Sequence, residues 1–396
     1  MIPNKDTFCI APYQHAEVDP QGFLKVCCVS REKKLDYKYK DIENWFKSEK
    51  LKKLRANLNA GIKDPICQIC WTHEKHGKTS QRKIYNKHIG KIIEKSWDKN
   101  FSKNITLKES IENIDTSNIR SFDLKLGNLC NLKCIMCFPG VSSQLMAEAK
   151  LHPAIRNFYK KEDMVGDFSY PESDQFKKWC NEFLKHSIHI KFTGGEPFMN
   201  PYLLDTVDSM PSDQKKKCIL HFTTNLTKVN EKILEVFDKF KEVWLSVSVE
   251  GIGDLLEYAR YGHQWDNLEK NLLTVLGRPN VHVGVSHVVQ APTFIGIKDL
   301  VRYMDQKKIE MNPILLSTPE CYHISAVKTK YKEDFLTDMQ NYNGYNKVFV
   351  DTVKSFVTGN LAYDKSLAEQ CVSRLQSFDK VRKNSFIKVV PVDYFI

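Results

Sequence analysis

From residue 119 onward, hydrophobic and polar positions follow two alternating rhythms. Short β-prone runs are each followed by a longer stretch in which apolar residues recur at helical spacing. Strands that alternate with helices in this way form parallel sheets built of βα units. The six predicted strands are residues 119–126, 188–192, 218–223, 243–249, 281–289 and 313–316, and the helical stretches between them include 173–185, 228–239 and 265–276. The pattern predicts an α/β fold, a partial (β/α)6 barrel of the TIM type over residues 119–330.

The rest of the chain divides into three further segments. Residues 1–90 are cysteine-rich, and Trp45, Leu51, Leu54 and Leu58 recur there at helical spacing before Gly61, so we expect a small module with at least one helix. Residues 91–118 are polar and lysine-rich and are predicted to connect this module to the barrel. Residues 331–396 mix aromatic, charged and apolar positions, and we expect a partly helical C-terminal extension.

Composition narrows the class of protein. The 396 residues are 42% hydrophobic and 27% charged, as is usual for a folded globular protein. No apolar run approaches the roughly 20 residues that span a bilayer, and residues 1–13 lack a secretory pattern. We therefore expect a cytoplasmic protein without a membrane partner.

The net charge of +11 allows two interpretations. Attraction to an anionic partner such as RNA is one, and a lysine-rich solvated surface is the other. The lysines are spread over the chain and seldom alternate with aromatic residues, so the second interpretation is favoured.

Twelve cysteines carry the strongest chemical signal. In a reducing compartment, clustered cysteines indicate metal binding or catalysis rather than disulfides. Eight of them fall in two groups: Cys9, Cys27, Cys28, Cys67 and Cys70, then Cys130, Cys134 and Cys137.

The second group follows directly after the first predicted barrel strand, with the spacing Cys-x3-Cys-x2-Cys. A [4Fe-4S] cube normally takes four cysteines, so three thiolates leave one iron free to bind a small molecule. Structural zinc would require a fourth ligand.

This triplet, followed by Phe138, resembles the signature of the radical S-adenosylmethionine (SAM) superfamily. The resemblance implies that Cys130, Cys134 and Cys137 hold a [4Fe-4S] cluster whose open iron binds SAM. It also implies the reaction: reductive cleavage of SAM to a 5′-deoxyadenosyl radical, which abstracts hydrogen from a substrate. The cofactor supplies the difficult chemistry and the protein positions it.

Further segments resemble the SAM-binding motifs of the same family, and each follows a predicted strand. By this resemblance we expect SAM contacts from Phe138, Gly194, Gly195, Glu196, Asn225, Ser248, Glu250 and Arg260. Glycines allow close backbone approach, and the Arg260 guanidinium would suit the SAM carboxylate. In barrels the reactive face is formed by the carboxyl ends of the strands.

The N-terminal cysteines resemble a SPASM or twitch-type auxiliary cluster module, here placed before the barrel. That resemblance implies a second [4Fe-4S] cluster on Cys9, Cys27, Cys67 and Cys70, with Cys28 as the reserve ligand. Structural zinc is the alternative, since four thiolates suit it too and His73 or His76 could also be ligands.

The resemblance also suggests a substrate class. Relatives with such a module often modify peptide or protein side chains, so a peptide or protein substrate and an electron donor such as flavodoxin or ferredoxin are expected. RNA modification and a non-catalytic iron–sulfur or zinc scaffold are the alternatives. Cys321, just past the sixth predicted strand, is a candidate hydrogen-atom donor, although free cysteines more often only pack.

Overall fold

The structure is a computed structural model that describes residues 6–32, 35–75, 79–87, 116, 119–208, 210–316, 318–391 and 393–396. The predicted connector 91–118 lies outside the described residues except for residue 116, and the alternative zinc ligand His76 also lies outside them. Among the described residues, no helix is long and apolar enough to cross a membrane.

Ten strands and sixteen α-helices lie with both ends in the described part, and residues 81–87 are also helical. The strands are β1 His15–Val18, β2 Leu24–Lys25, β3 Ser121–Lys125, β4 Lys133–Cys134, β5 His189–Thr193, β6 Ile219–Thr224, β7 Glu242–Ser248, β8 Arg260–Tyr261, β9 Val281–Val289 and β10 Glu310–Leu315. The helices are α1 Ala11–Gln14, α2 Ile42–Phe46, α3 Glu49–Asn59, α4 Gln68–Lys75, α5 Ser143–Leu151, α6 Pro153–Arg156, α7 Asp174–Phe183, α8 Leu203–Asp208, α9 Ser212–Lys215, α10 Glu231–Asp238, α11 Asp254–Ala259, α12 Trp265–Leu276, α13 Ile297–Lys307, α14 Thr329–Asp338, α15 Lys347–Thr358 and α16 Lys365–Arg382.

The chain divides into two compact units. The first contains Met1–Gly127, Asp167–Phe222 and Lys232–Val243, and the second contains Asn128–Gly166, Thr223–Glu231 and Trp244–Ile396. These units divide the chain differently from the predicted segments 1–90, 119–330 and 331–396, whose boundaries stay predictions.

In the first unit, strands β2, β1, β3, β5 and β6 lie side by side in that order. All of them are parallel except β2, which pairs with β1 in the antiparallel direction. Phe122, Phe192 and Phe222 are fully buried on these strands, and Trp179 of α7 packs edge-on against Phe122 at 5.3 Å between ring centroids. An aromatic core therefore holds helix and sheet together.

In the second unit, β7, β9 and β10 follow one another, and β9 and β10 are parallel. Helix α12 buries Leu268, Leu272 and Val275 along one face, as expected of an amphipathic helix on a sheet. A separate two-stranded ribbon joins β4 to β8.

The predicted fold class is confirmed: the strands are mostly parallel and surrounded by helices, consistent with a partial barrel of the TIM type. All six predicted barrel strands are present, with ends shifted by a few residues. The sixth begins at Glu310 rather than at Pro313. Proline suits this strand because β10 is the last in the sheet order, and an edge strand tolerates a missing N–H donor.

Strand β1 was not predicted from the sequence. Two of its four residues, His15 and Glu17, are polar yet almost fully buried. Hydrophobic periodicity cannot detect a strand whose buried positions are polar.

Candidate functional site

The three cysteines of the triplet lie in one loop of the second unit. Cys134 is part of β4, and the Cys137 N–H donates to the Cys134 carbonyl over 3.1 Å. Burial raises the pKa of the Cys137 thiol, and the neighbouring thiols of Cys134 and Cys130 raise it further. The three sulfur atoms are therefore close enough to interact electrostatically, as ligands of one cluster must be.

The start of helix α5 fixes this loop. Ser142 caps the helix by accepting from the Leu145 N–H, and its hydroxyl donates to the Leu132 carbonyl over 2.7 Å. Ser143 accepts from the Cys130 N–H over 3.1 Å and donates to the Cys130 carbonyl. The N-cap preference of serine thus also determines where the cysteine loop lies.

Arg260 and Glu250 form a buried ion pair beside the triplet. The Arg260 Nε contacts Glu250 Oε2, and its Nη1 lies 3.7 Å from the Cys134 sulfur. Burial alone would lower the pKa of Arg260, but the Glu250 charge outweighs it and raises the pKa. The Val288 N–H also donates to Glu250, over 3.4 Å. Two residues predicted to contact SAM separately therefore contact each other.

Asn225, which follows β6, is joined to the cysteine loop by its side chain. Its amide donates to the Asn131 side chain over 3.0 Å and accepts from the Thr227 N–H and hydroxyl. The His263 ring donates to the Asn225 carbonyl over 2.7 Å. Every polar group in this network restricts the position of Asn131, next to Cys130.

Buried polar atoms without a partner among the described residues lie at the end of β9 and directly after it. They are the His287 Nε2, both amide atoms of Gln290 and the Thr293 hydroxyl, for which the described residues supply no hydrogen-bond partner. His287 Nδ1 donates to the Val249 carbonyl over 2.9 Å, so Nε2 is an acceptor. Because unpaired buried polar groups are costly, these atoms fit a ligand rich in donors and acceptors. The amino, carboxylate and ribose groups of SAM have this chemistry.

The other predicted residues of the second unit are more exposed. Ser248 ends β7 and is half-buried, and Phe138 is 37% exposed next to Cys137. Cys321 lies in a short 3-10 turn and lines a cavity of about 460 Å³ with Arg374 and Phe158. Burial raises the pKa of its thiol. Its role as a hydrogen-atom donor stays a prediction.

The Gly194-Gly195-Glu196 turn follows β5 in the first unit. Both glycines have positive φ, +73° and +49°, a conformation that glycine adopts at little cost. A Cβ at Gly194 would lie 2.7 Å from the Cβ of Lys125. Glu196 is buried and accepts from the Phe198 N–H over 3.2 Å. The conformation of the turn thus allows a ligand to approach its backbone closely.

Four N-terminal cysteines come together in the first unit. Burial raises the pKa of Cys9 to about 12, with a further contribution from Cys70. The Cys67 thiol is influenced by Cys9 and Cys70, and the Cys27 thiol is influenced by Cys28 first and then by Cys9 and Cys67. Backbone N–H groups also hydrogen-bond these sulfurs, including that of Ala11 to Cys9. The four sulfurs therefore share one environment.

Cys28 faces a different environment from its neighbour Cys27. Its thiol is influenced chiefly by burial, then by Asp123 and Lys191, and by Glu17 and Lys125. Charged side chains of β1, β3 and β5 therefore influence this thiol in addition to burial.

The sequence interpretation missed the pairing of Glu250 with Arg260 and the contribution of Asn131 and Thr293. Asn131 lies inside the cysteine triplet, so its polar side chain was a usable signal. Thr293 gave none, because a sequence does not show which polar side chains are buried without partners.

Comparison with known proteins agrees with the cysteine pattern. Residues 124–286 match the model of the radical SAM superfamily. The chain is similar to the uncharacterized protein MJ0907 of Methanocaldococcus jannaschii, with 26% identity over 57% of this chain and 68% of that protein.

Two solved structures are also similar. SuiB of Streptococcus suis bound to S-adenosylmethionine has 14% identity and a TM-score of 0.36, over 67% of this chain and 62% of that chain. TYW1 with a lysine–pyruvate adduct bound has 14% identity and a TM-score of 0.32, over 64% of this chain and 89% of that chain. The chain thus spans about three fifths of the length of SuiB.

The matched segment includes the cysteine triplet, the Gly-Gly-Glu turn and the Arg260–Glu250 pair, and residues 124–286 of this chain are a domain of the radical SAM superfamily.

Proposed function

We propose that this chain is a radical SAM enzyme that modifies a peptide or protein side chain by hydrogen abstraction. The observation that carries the proposal is the arrangement around Cys134: three interacting thiols next to a buried arginine whose Nη1 lies 3.7 Å from the Cys134 sulfur. Superfamily membership implies a [4Fe-4S] cluster and SAM.

The donor set fits these groups. Cys130, Cys134 and Cys137 would hold three irons and leave the fourth for SAM. When bound there, the reduced cluster supplies the electron that cleaves SAM to methionine and a 5′-deoxyadenosyl radical. Arg260 would offer its remaining N–H donors to the SAM carboxylate, a pairing that planar guanidinium favours. The unpartnered atoms of His287 and Gln290 would fix the polar groups of the ligand and exclude water.

For the N-terminal cysteines, we propose a second [4Fe-4S] cluster on Cys9, Cys27, Cys67 and Cys70. Tetrahedral zinc binds sulfur at about 2.3 Å and so draws its sulfur ligands to within roughly 4 Å of one another. Among the described residues, no three of these thiols lie within 4.8 Å of one another. A cube keeps its cysteine sulfurs farther apart, so this spacing is compatible with an iron–sulfur cluster, and Cys28 stays the reserve ligand.

The substrate class rests on the resemblance of the N-terminal cysteines to a SPASM or twitch-type module. A low-potential one-electron donor, flavodoxin or ferredoxin, would reduce the clusters. Cys321 is retained as a candidate hydrogen-atom donor.

Label transfer tests the substrate class. Reconstituted enzyme, SAM and dithionite would be incubated separately with a deuterated peptide pool and with deuterated RNA from the same cells. Deuterium in 5′-deoxyadenosine should arise with the peptides and be absent with the Cys130/Cys134/Cys137 triple alanine variant. Label arising only from RNA would contradict the peptide proposal and favour RNA modification.

A further inference from the structure

Three side chains that could hold a metal ion lie close together in the first unit, and only Cys28 among them belongs to the N-terminal cysteine group. Glu17 of β1 is directly opposite Asp123 of β3 in the parallel register. Cys28 follows β2. One ligand atom from each of these three side chains lies within 4.8 Å of the other two. Glu17 and Asp123 are almost fully buried, at 0% and 1% exposure, although both are acidic.

One oxygen of this set has no partner. Glu17 Oε1 accepts from Lys125 Nζ at 2.6 Å and lies 3.5 Å from Lys25 Nζ. Glu17 Oε2 is buried, and the described residues provide no hydrogen-bond donor for it. A buried carboxylate oxygen without a donor is costly, so the fold maintains an acceptor that a ligand can use.

Asp123 is held in place by groups that leave it able to bind a ligand. Its Oδ1 accepts from the Thr193 hydroxyl over 2.9 Å, whereas its Oδ2 is 3.8 Å from Lys191 Nζ, beyond hydrogen-bonding distance. Burial would raise the pKa of Asp123, but the charges of Lys191 and Lys125 outweigh it and lower the pKa. The carboxyl group is therefore ionised, as a metal ligand must be.

The Cys28 thiol is supported by a second layer of polar groups. The Tyr85 hydroxyl lies 4.0 Å from the sulfur and 3.2 Å from His15 Nε2, and His15 Nδ1 lies 2.9 Å from the Ser121 hydroxyl. Metal sites typically hold their ligands through such outer hydrogen bonds. These contacts thus fix the orientation of the thiol.

We propose that Glu17, Asp123 and Cys28 bind a divalent transition-metal ion of the zinc and ferrous class. A thiolate excludes the hard ions Mg²⁺ and Ca²⁺ as preferred occupants, and two carboxylates with one thiolate suit borderline ions. Metal–ligand bonds of about 2.0–2.3 Å require the three atoms to close to roughly 3.5 Å from one another. Three protein ligands leave a coordination position for water or a substrate atom.

The charges of the neighbouring lysines limit the affinity of this site for a cation. Lys125 and Lys191 already neutralise the two carboxylates. Binding releases the proton of the Cys28 thiol, so a divalent ion adds one net positive charge rather than two.

Cobalt(II) is the probe for this site, because its bond to a thiolate gives a charge-transfer absorption band. Anaerobic protein with its iron–sulfur clusters fully loaded would be titrated with CoCl₂. We expect one equivalent to bind with a thiolate–cobalt band, and the band to be lost in Cys28→Ser. Glu17→Gln should weaken binding at least tenfold. Cys180→Ala, which removes a buried cysteine of α7 in the same unit, should leave binding unchanged.

Iron content and thermal denaturation are measured on the same samples, so that misfolding is recognised. Equal cobalt binding by wild type and by folded Cys28→Ser would overturn the proposal. Loss of four irons in Cys28→Ser would also overturn it, because Cys28 would then be a cluster ligand. The site does not rest on the proposed function, which is tested separately by SAM cleavage.

Discussion

The Arg260 guanidinium contacts the fully buried Glu250 carboxylate while its Nη1 atom lies 3.7 Å from the Cys134 sulfur. A buried charge without a partner is strongly destabilising, so each residue requires the other. The pair therefore holds a cation beside the cysteine triplet before any ligand binds. Such preorganisation is what a site for the SAM carboxylate needs.

Replacing Arg260 should weaken SAM binding without removing iron. Loss of a charge-assisted hydrogen bond costs about 1.5–3 kcal/mol, so Arg260→Ala should raise the Kd for SAM by about ten- to a hundredfold. Equilibrium dialysis with labelled SAM measures the change. Arg302→Ala, an exposed arginine paired with Asp299, is the matched control and should bind normally. Unchanged affinity in both Arg260→Ala and Glu250→Gln would refute the pocket.

Gly195→Val should impair SAM binding through the backbone. Its φ of +49° disfavours a β-branched residue, and valine would block close approach to the turn. Isothermal titration should show weaker SAM binding with both clusters retained. Gly277→Ala is the control, since Gly277 has an ordinary helical φ of −73°. Normal SAM affinity in a folded Gly195→Val protein would contradict the role given to the Gly-Gly-Glu turn.

Metal analysis of cysteine variants should distinguish the iron bound by each of the two cysteine groups. Anaerobic wild type should hold about eight irons, from two cubes of four. Replacing Cys130, Cys134 and Cys137 together by alanine should remove about half, and Cys9/Cys67/Cys70 alanine variants should lose the other half. Four irons and one zinc in the wild type would show that the zinc alternative is correct for the N-terminal group.

The buried pair between Glu148 and Arg382 should dominate the stability of the second unit. Arg382 binds Glu148 through two hydrogen bonds of 3.1 and 2.7 Å, and both side chains are 3% exposed. Breaking such a pair costs about 3–5 kcal/mol, so Arg382→Met should lower the free energy of unfolding by that amount. The exposed Lys365–Glu369 pair is the comparison, and Lys365→Met should cost less than about 1 kcal/mol.

The same ion pair predicts that the free energy of unfolding decreases in acid. Burial would raise the pKa of Glu148, but the hydrogen bonds and charge of Arg382, together with those of Lys133, outweigh it and lower the pKa. The stabilisation is therefore present above the unfolded pKa of about 4.3 and is lost as pH falls through the lower folded pKa. Urea denaturation from pH 7 to pH 3 should show a smaller acid loss in Arg382→Met than in wild type. Equal losses would show that Glu148 does not contribute.

Features that recur or cluster along the chain could be predicted from the sequence. The periodicity of hydrophobic residues and their strand propensity located all six barrel strands, and the cysteine spacing located the triplet loop. It did not predict β1, because His15 and Glu17 are buried polar residues. Nor did it predict the contact of Glu250 with Arg260 or the set of Glu17, Cys28 and Asp123. The second of these depends on the register of β1 against β3, in which Glu17 and Asp123, over a hundred positions apart, become neighbours.

The most direct test is reductive cleavage of SAM by the reconstituted protein. With dithionite as the electron source and no substrate, the wild type should slowly produce 5′-deoxyadenosine and methionine, measured by chromatography and mass spectrometry. The Cys130/Cys134/Cys137 triple alanine variant should produce none, whereas a folded Cys9/Cys67/Cys70 variant should still cleave SAM. If wild type with a full iron complement binds SAM but yields no 5′-deoxyadenosine with any reductant, the enzyme proposal is contradicted and the non-catalytic scaffold is favoured.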